Sequence, residues 1–254
     1  MRILLLIFIV IFFPFYSIAQ QHFPELVTDR PDQTESASIV PLRSLQIETG
    51  FLLENGSDND TKIRSLAYNT TLLRYGLLEN LELRLGLDYL GKKTTPVKIS
   101  GLAPLYAGFK VKVREEDGWK PETAFLGGLV FPFTAGNDFK PAYTAASLRF
   151  AFAHTLSDRF SLGYNLGAEW DGFSARSGYY YSVALGTSLT EKVGVFIENF
   201  GMFHENSISE HLMDAGFTFL LLPNLQLDLS GGIGLNKHAV SNFVSAGLTW
   251  RIPG

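Results

Sequence analysis

Residues 81–89 read Leu-Glu-Leu-Arg-Leu-Gly-Leu-Asp-Tyr. Leu81, Leu83, Leu85, Leu87 and Tyr89 alternate with Glu82, Arg84, Gly86 and Asp88. A β-strand sends successive side chains to opposite faces, so this segment has one apolar face and one charged face. It is too charged to be buried on both sides, and its period of two is not helical. Comparable segments recur at 45–53, 66–75, 105–114, 123–133, 145–155, 160–168, 179–187, 193–198, 215–221, 225–230 and 244–252. Both faces of 123–133 are fairly apolar, so its orientation does not follow from the pattern.

The N-terminus sets the compartment. Arg2 is followed by an apolar run over 3–13, then Pro14 and the small-residue stretch Ser17-Ile18-Ala19. This is the pattern of a secretory signal peptide over residues 1–19, with cleavage after Ala19. A membrane anchor is the other reading, but a spanning helix needs roughly 20 apolar residues and Pro14 interrupts this run short of that. Beyond it no apolar stretch is long enough to span as a helix, yet mean hydropathy is +0.11, higher than usual for a soluble exported domain.

The chain has no Cys, which excludes a disulfide scaffold, N-terminal lipidation and Cys-based metal or nucleophilic chemistry. Its net charge of −4 argues against a nucleic-acid partner, which would leave a basic stripe. No metal or cofactor motif is present.

Behind a secretion signal, about twelve alternating strands near ten residues long specify an all-β fold. The expected architecture is a single antiparallel transmembrane β-barrel of meander topology, apolar outside and polar within, in the outer membrane. Connections alternate in length: short at 76–80, 157–159, 190–192 and 223–224, longer and polar at 55–60, 91–104, 171–177 and 204–210. Short turns face the periplasm and longer loops face outside. Residues 20–41, rich in Asp, Pro, Ser and Thr, read as an irregular segment that either caps the barrel base or enters the lumen. The barrel takes up 42–254.

A soluble exported β-sandwich or lipocalin-like barrel also buries one face of each strand. Three features favour the membrane barrel. Charges on the polar face sit mid-strand, aromatics recur near strand ends (Tyr75, Tyr89, Phe133, Phe160, Trp170, Tyr179, Phe203, Trp250), and connections alternate in length.

The stretch Thr28-Asp-Arg-Pro-Asp-Gln-Thr-Glu-Ser36, followed by Leu45-Gln-Ile-Glu-Thr-Gly-Phe51, resembles the N-terminal signature of a family of Gram-negative outer-membrane barrels. These are labelled "transporter" or MetA-pathway of phenol degradation proteins. Leu73-Arg-Tyr-Gly76 with Leu81-Glu-Leu-Arg84 is similar to the family's second hairpin. Glu198 in Phe196-Ile-Glu-Asn199 and Asp228 match polar positions of its later strands. The Asp29-Arg30-Pro31-Asp32 motif, with Glu35, is the most specific element. The resemblance implies movement of small, aromatic or hydrophobic, solutes across the outer membrane. It also implies outer-membrane lipid and the barrel-assembly machinery as partners. That machinery reads a terminal aromatic, whereas this chain ends Trp250-Arg-Ile-Pro-Gly254.

With the apolar face toward lipid, twelve charged residues point inward: Glu48, Arg74, Glu82, Arg84, Asp88, Lys110, Lys112, Arg149, Glu169, Glu198, Asp214 and Asp228. They either line a selective polar conduit or lock the interior as ion pairs. If the N-terminal segment enters, Asp29, Arg30, Asp32 and Glu35 can pair with them. Two other functions compete with transport. A hydrolase needs a nucleophile and base, and the sequence has neither His-Glu-x-x-His nor Gly-x-Ser-x-Gly. Its histidines are His22, His154, His204, His211 and His238. A structural or adhesive barrel would present distinctive outer loops, and these are modest.

Overall fold

The structure is a computed structural model that describes residues 24–58, 61–174, 176–205, 208–237 and 239–254. The signal-peptide segment 1–19 lies outside the described residues, as do His22 and His238. The strands are β1 (Leu45–Asp58), β2 (Thr61–Leu78), β3 (Leu81–Thr94), β4 (Val97–Leu102), β5 (Leu105–Arg114), β6 (Glu122–Phe131) and β7 (Ala145–Thr155). They continue as β8 (Phe160–Trp170), β9 (Gly178–Ser188), β10 (Val193–His204), β11 (Glu210–Leu222), β12 (Leu225–Gly234) and β13 (Asn242–Ile252). Sequence neighbours pair antiparallel, and β1 pairs with β13 to close the sheet. β4 and β5 form one stave broken at Ala103 and Pro104: β4 pairs with the far half of β3 and β5 with its near half. The result is a closed twelve-stave meander barrel. Closure leaves no sheet edge with unpaired backbone groups, which a lipid environment requires.

Burial is inverted relative to a water-soluble protein. The largest fully buried side chains include Arg74, Lys110, Gln46, Glu48, Glu82 and Glu198. Leu148, Phe150, Leu166, Val183, Leu185 and Ile197 are exposed. Charged residues are almost never fully buried unless paired, so this inversion marks a barrel whose solvent is lipid. Aromatics cluster near both rims of the outer face. Tyr68 meets Tyr89 with ring centroids 5.9 Å apart at one end. Phe152 stacks on Tyr164 at 4.9 Å toward the other.

Three details depart from the sequence reading or complete it. Segments 55–60 and 91–104, read as loops, are largely strand: β1 runs to Asp58, β3 to Thr94, and β4 follows. These hairpins project past the apolar band, where no face has to be apolar, so their sequence loses the alternation. Second, β6 turns Ala124 and Leu126 inward and Phe125 outward, where its ring contacts Phe109 and Phe150. Ala37 of the N-terminal segment packs on Ala124, Leu126 and Ala151 inside, which is why both faces of this strand are apolar. Third, residues 24–41 lie within the barrel.

Candidate functional site

The interior is organised around Asp29. The polar faces of β1, β2, β3 and β5 bring Glu48, Arg74, Glu82, Arg84 and Lys110 to one side of the lumen, and Asp29 sits among them. Its carboxylate is 3.0 Å from the Arg74 guanidinium, 2.7 Å from that of Arg84 and 2.9 Å from Lys110 Nζ. Arg74 also contacts Glu48 at 2.7 Å and Glu82 at 2.8 Å. Arg84 bridges Glu82 at 3.2 Å and Glu35 at 2.8 Å. Burial by itself raises the Asp29 pKa, but the surrounding Arg74, Lys110 and Arg84 hold its carboxyl well below the usual range. Each buried charge here has an opposite partner, which is the condition for tolerating it at all.

The rest of the segment is tied around the lumen wall. Arg30 Nη2 donates to Asp228 at 2.9 Å and to Ser245 at 3.0 Å. The Gln33 N–H donates to Glu198 at 2.8 Å, and the Thr34 hydroxyl contacts both Glu198 and Ser182. Asn165 brackets Glu35, accepting from its N–H at 2.7 Å and donating to its carbonyl at 2.9 Å. The Val40 N–H reaches Glu82 at 2.9 Å, and Arg251 donates to the Glu25 carbonyl at 3.1 Å. An irregular segment carries unsatisfied backbone groups. Here they are met by side chains from the inner faces of the surrounding strands, so the segment holds its place without secondary structure. Pro31 is buried and follows a cis peptide bond.

The remaining candidates fall elsewhere. Lys112 lies at the short-turn end, bonded to Glu115 at 2.9 Å and Glu122 at 3.1 Å. The Arg149 guanidinium stacks over the Tyr180 ring at 3.9 Å. Asp88, half-buried, accepts from the Thr71 N–H at 3.1 Å. Glu169 is half-buried nearer the outer mouth. Asp214 stands directly opposite Glu198 on the neighbouring strand, is buried, and its two oxygens have no hydrogen-bond partner among the described residues. Asp32 lies by these two, and burial first, then the Glu198 carboxylate, pushes its pKa well above the ordinary value. Sequence reasoning passed over Gln46, Asn165, Ser182, Gln226 and Arg251, all buried in the lumen wall. Their signal was parity: each falls in the inward-facing alternation of its own strand.

The segment divides the lumen. An outer chamber of about 440 Å³ is bordered by Glu35, Glu48, Arg84, Asp88, Arg149 and Glu169. Beyond it, under the β6–β7 connection, lies a more apolar cavity of about 580 Å³ lined by Leu90, Ile99, Val130, Phe139, Trp170 and Phe173. The two share Ser147 and Glu169. The connection folds over the mouth because Phe139 rests on Gly101, where an added Cβ would lie 3.5 Å from the ring. It is pinned at Gly172, whose φ of +75° favours glycine and whose carbonyl accepts from the Tyr143 N–H at 2.8 Å.

Among the described residues no Ser or Thr hydroxyl is hydrogen-bonded to a histidine. His154 bonds Tyr164 at 3.4 Å, His211 bonds Tyr181 at 2.9 Å, and His204 faces Glu210 at 3.6 Å.

Closed meander, lipid-facing apolar wall and charged interior define an outer-membrane β-barrel. The chain belongs to the family described as "Putative MetA-pathway of phenol degradation", whose model matches residues 28–252. No curated protein matches it. Among solved structures, an outer membrane channel from Pseudomonas putida F1 is similar with a TM-score of 0.70 at 14% identity, covering 89% of this chain and 100% of that one. The NanC porin is similar with a TM-score of 0.52 at 8% identity, covering 82% of this chain and 100% of that one. The β domain of a Bordetella autotransporter gives 0.52 at 11% identity, with 82% and 99% covered. At these identities the likeness is one of fold.

Proposed function

We propose that the protein conducts small apolar or aromatic solutes across the outer membrane, through the mouth cavity, the outer chamber and past the N-terminal segment. The supporting observation is the apolar cavity at the mouth, which opens toward the lumen at Ser147 and Glu169. Its volume of about 580 Å³ falls within the roughly 300–1,000 Å³ of small-molecule pockets. Interior charges around Asp29 are mutually paired, Asp29, Glu35, Glu48 and Glu82 with Arg74, Arg84 and Lys110, so most of their field is offset within this part of the lumen. An uncharged solute leaving an apolar vestibule meets the smaller barrier.

The test is swelling of liposomes carrying the protein, with phenol-sized solutes against sugars of equal osmolarity. Ala145 is buried in the cavity wall. Wild-type protein should admit the aromatic solutes faster, and Ala145→Trp, which fills the cavity, should slow them several-fold while the barrel still assembles. Equal rates for both solute classes, or an unaffected Trp variant, would overturn the proposal.

A further inference from the structure

The projecting hairpins carry a second feature, on the outside of the barrel. Thr70 faces inward, within 3.4 Å of the Arg30 guanidinium. A bulge between Ala67 and Asn69 sets Tyr68 against the outward Tyr89 and leaves Ala67 buried inside. From Ala67 the alternation carries Arg64 and Lys62 to the outer face. Arg64 is directly opposite Lys93, and Lys93 directly opposite Lys98. Directly opposed residues share a face, so Lys62, Arg64, Lys93 and Lys98 form one exposed outward cluster across three adjacent strands. The carboxylates of these strands, Glu82 and Asp88, point the other way. Among the described residues the cluster makes no ion pair; Arg64 Nε donates to Asn55 Oδ1 at 3.1 Å.

Three like charges in one cross-strand row cost stability, and nothing described within the fold offsets them. Lys62, Arg64 and Lys93 border a cleft of about 460 Å³ that also includes Asn55 and Ser57. Its height is informative. Arg64 and Lys93 lie four residues beyond Tyr68 and Tyr89, roughly 13 Å along the strand at the usual rise. Given the strand tilt, the cluster stands just outside the aromatic rim that marks the apolar boundary. It is on the end away from the short turns, the outer surface of the cell. The outer leaflet there is built from phosphorylated glycolipid. Elsewhere on the outer face, the same end of the barrel presents Tyr179, Phe203 and Ile233, which are uncharged and exposed.

We propose that Lys62, Arg64, Lys93 and Lys98 bind the phosphate groups of an outer-leaflet glycolipid whose acyl chains lie along the apolar wall below. Arg64 supplies a planar fork suited to phosphate, and the lysines supply compact charges around it. The bound lipid offsets the repulsion within the row and anchors the projecting hairpins to the membrane surface. Its occupant is lipid-borne phosphate, because the cluster faces outward directly above the lipid-facing wall, where the exposed Tyr68 and Tyr89 mark the rim.

The experiment titrates the detergent-solubilised protein with bisphosphorylated lipid A and with its dephosphorylated form, reading bound lipid by native mass spectrometry. The bisphosphorylated form should bind about tenfold tighter or more, given the contribution of each basic residue at an anionic surface. A combined Lys62→Gln, Arg64→Gln, Lys93→Gln, Lys98→Gln variant should lose that preference. Lys92→Gln, one residue away but on the opposite face, should keep it. If the combined variant does not assemble, Arg64→Gln with Lys93→Gln is read in the same way. Inorganic phosphate at millimolar concentration should not displace the lipid. Equal affinity for the two lipids, retention of the preference by the variant, its loss with Lys92→Gln, or displacement by free phosphate would each overturn the proposal.

Discussion

Replacing Asp29 with alanine is expected to free residues 24–41 from the barrel interior and to raise single-channel conductance several-fold. Asp29 is the shared acceptor of Arg74, Arg84 and Lys110, all buried. Arg74 and Arg84 keep Glu48, Glu82 and Glu35 when it is lost. Lys110 keeps only the Ser36 and Ser38 carbonyls, the Ser36 hydroxyl and a 3.8 Å approach to Glu35. Removing one partner from a buried ionic group costs about 3–5 kcal/mol. That cost falls on the docking of the segment, because the barrel retains its cross-strand pairs between Arg74, Glu48 and Glu82. A shift of this size moves a docking equilibrium by a factor of about 100 or more. Thermal unfolding of the barrel should change much less than protease sensitivity of the segment. Unchanged conductance together with an intact, protected segment would show that the charge network does not hold it.

The second large effect concerns the outer wall. Ile197 is exposed on β10, with Glu198 beside it buried in the lumen. Ile197→Arg places a cation against acyl chains near the middle of the strand, at a cost of about 2–4 kcal/mol near the bilayer midplane. The expected result is a loss of stability of that size on refolding into lipid vesicles. Ile197→Leu should be close to neutral. If the Arg variant refolds with wild-type stability in lipid, Ile197 does not face the membrane.

What was legible in the sequence was the wall. Leu81 to Tyr89 announced a two-faced strand, and charges such as Glu82 and Arg84 identified its inner side, because a residue that cannot tolerate lipid has one place to go. The segment 123–133 was ambiguous because Ala124 and Leu126 pack on Ala37, a contact with a distant part of the chain that no local period encodes. The placement of residues 24–41 was equally hidden. Their polarity is the same for a tail in water and for a tail whose partners are buried charges. The projecting hairpins were read as loops for the converse reason: above the membrane both faces meet water, and the signal of alternation disappears.

Occupation of the lumen by residues 24–41 is the feature on which the charge network, the divided interior and the proposed route all depend. The chain has no cysteine, so a pair of introduced thiols is free of background. With Ala37→Cys and Ala151→Cys, two positions that belong to one buried cluster, a short bifunctional thiol reagent applied to protein in outer-membrane vesicles should cross-link the pair within one chain in high yield. No cross-link, with the thiol introduced in place of Ala37 instead labelled freely by a bulky water-soluble maleimide, would place the segment outside the barrel and contradict the account.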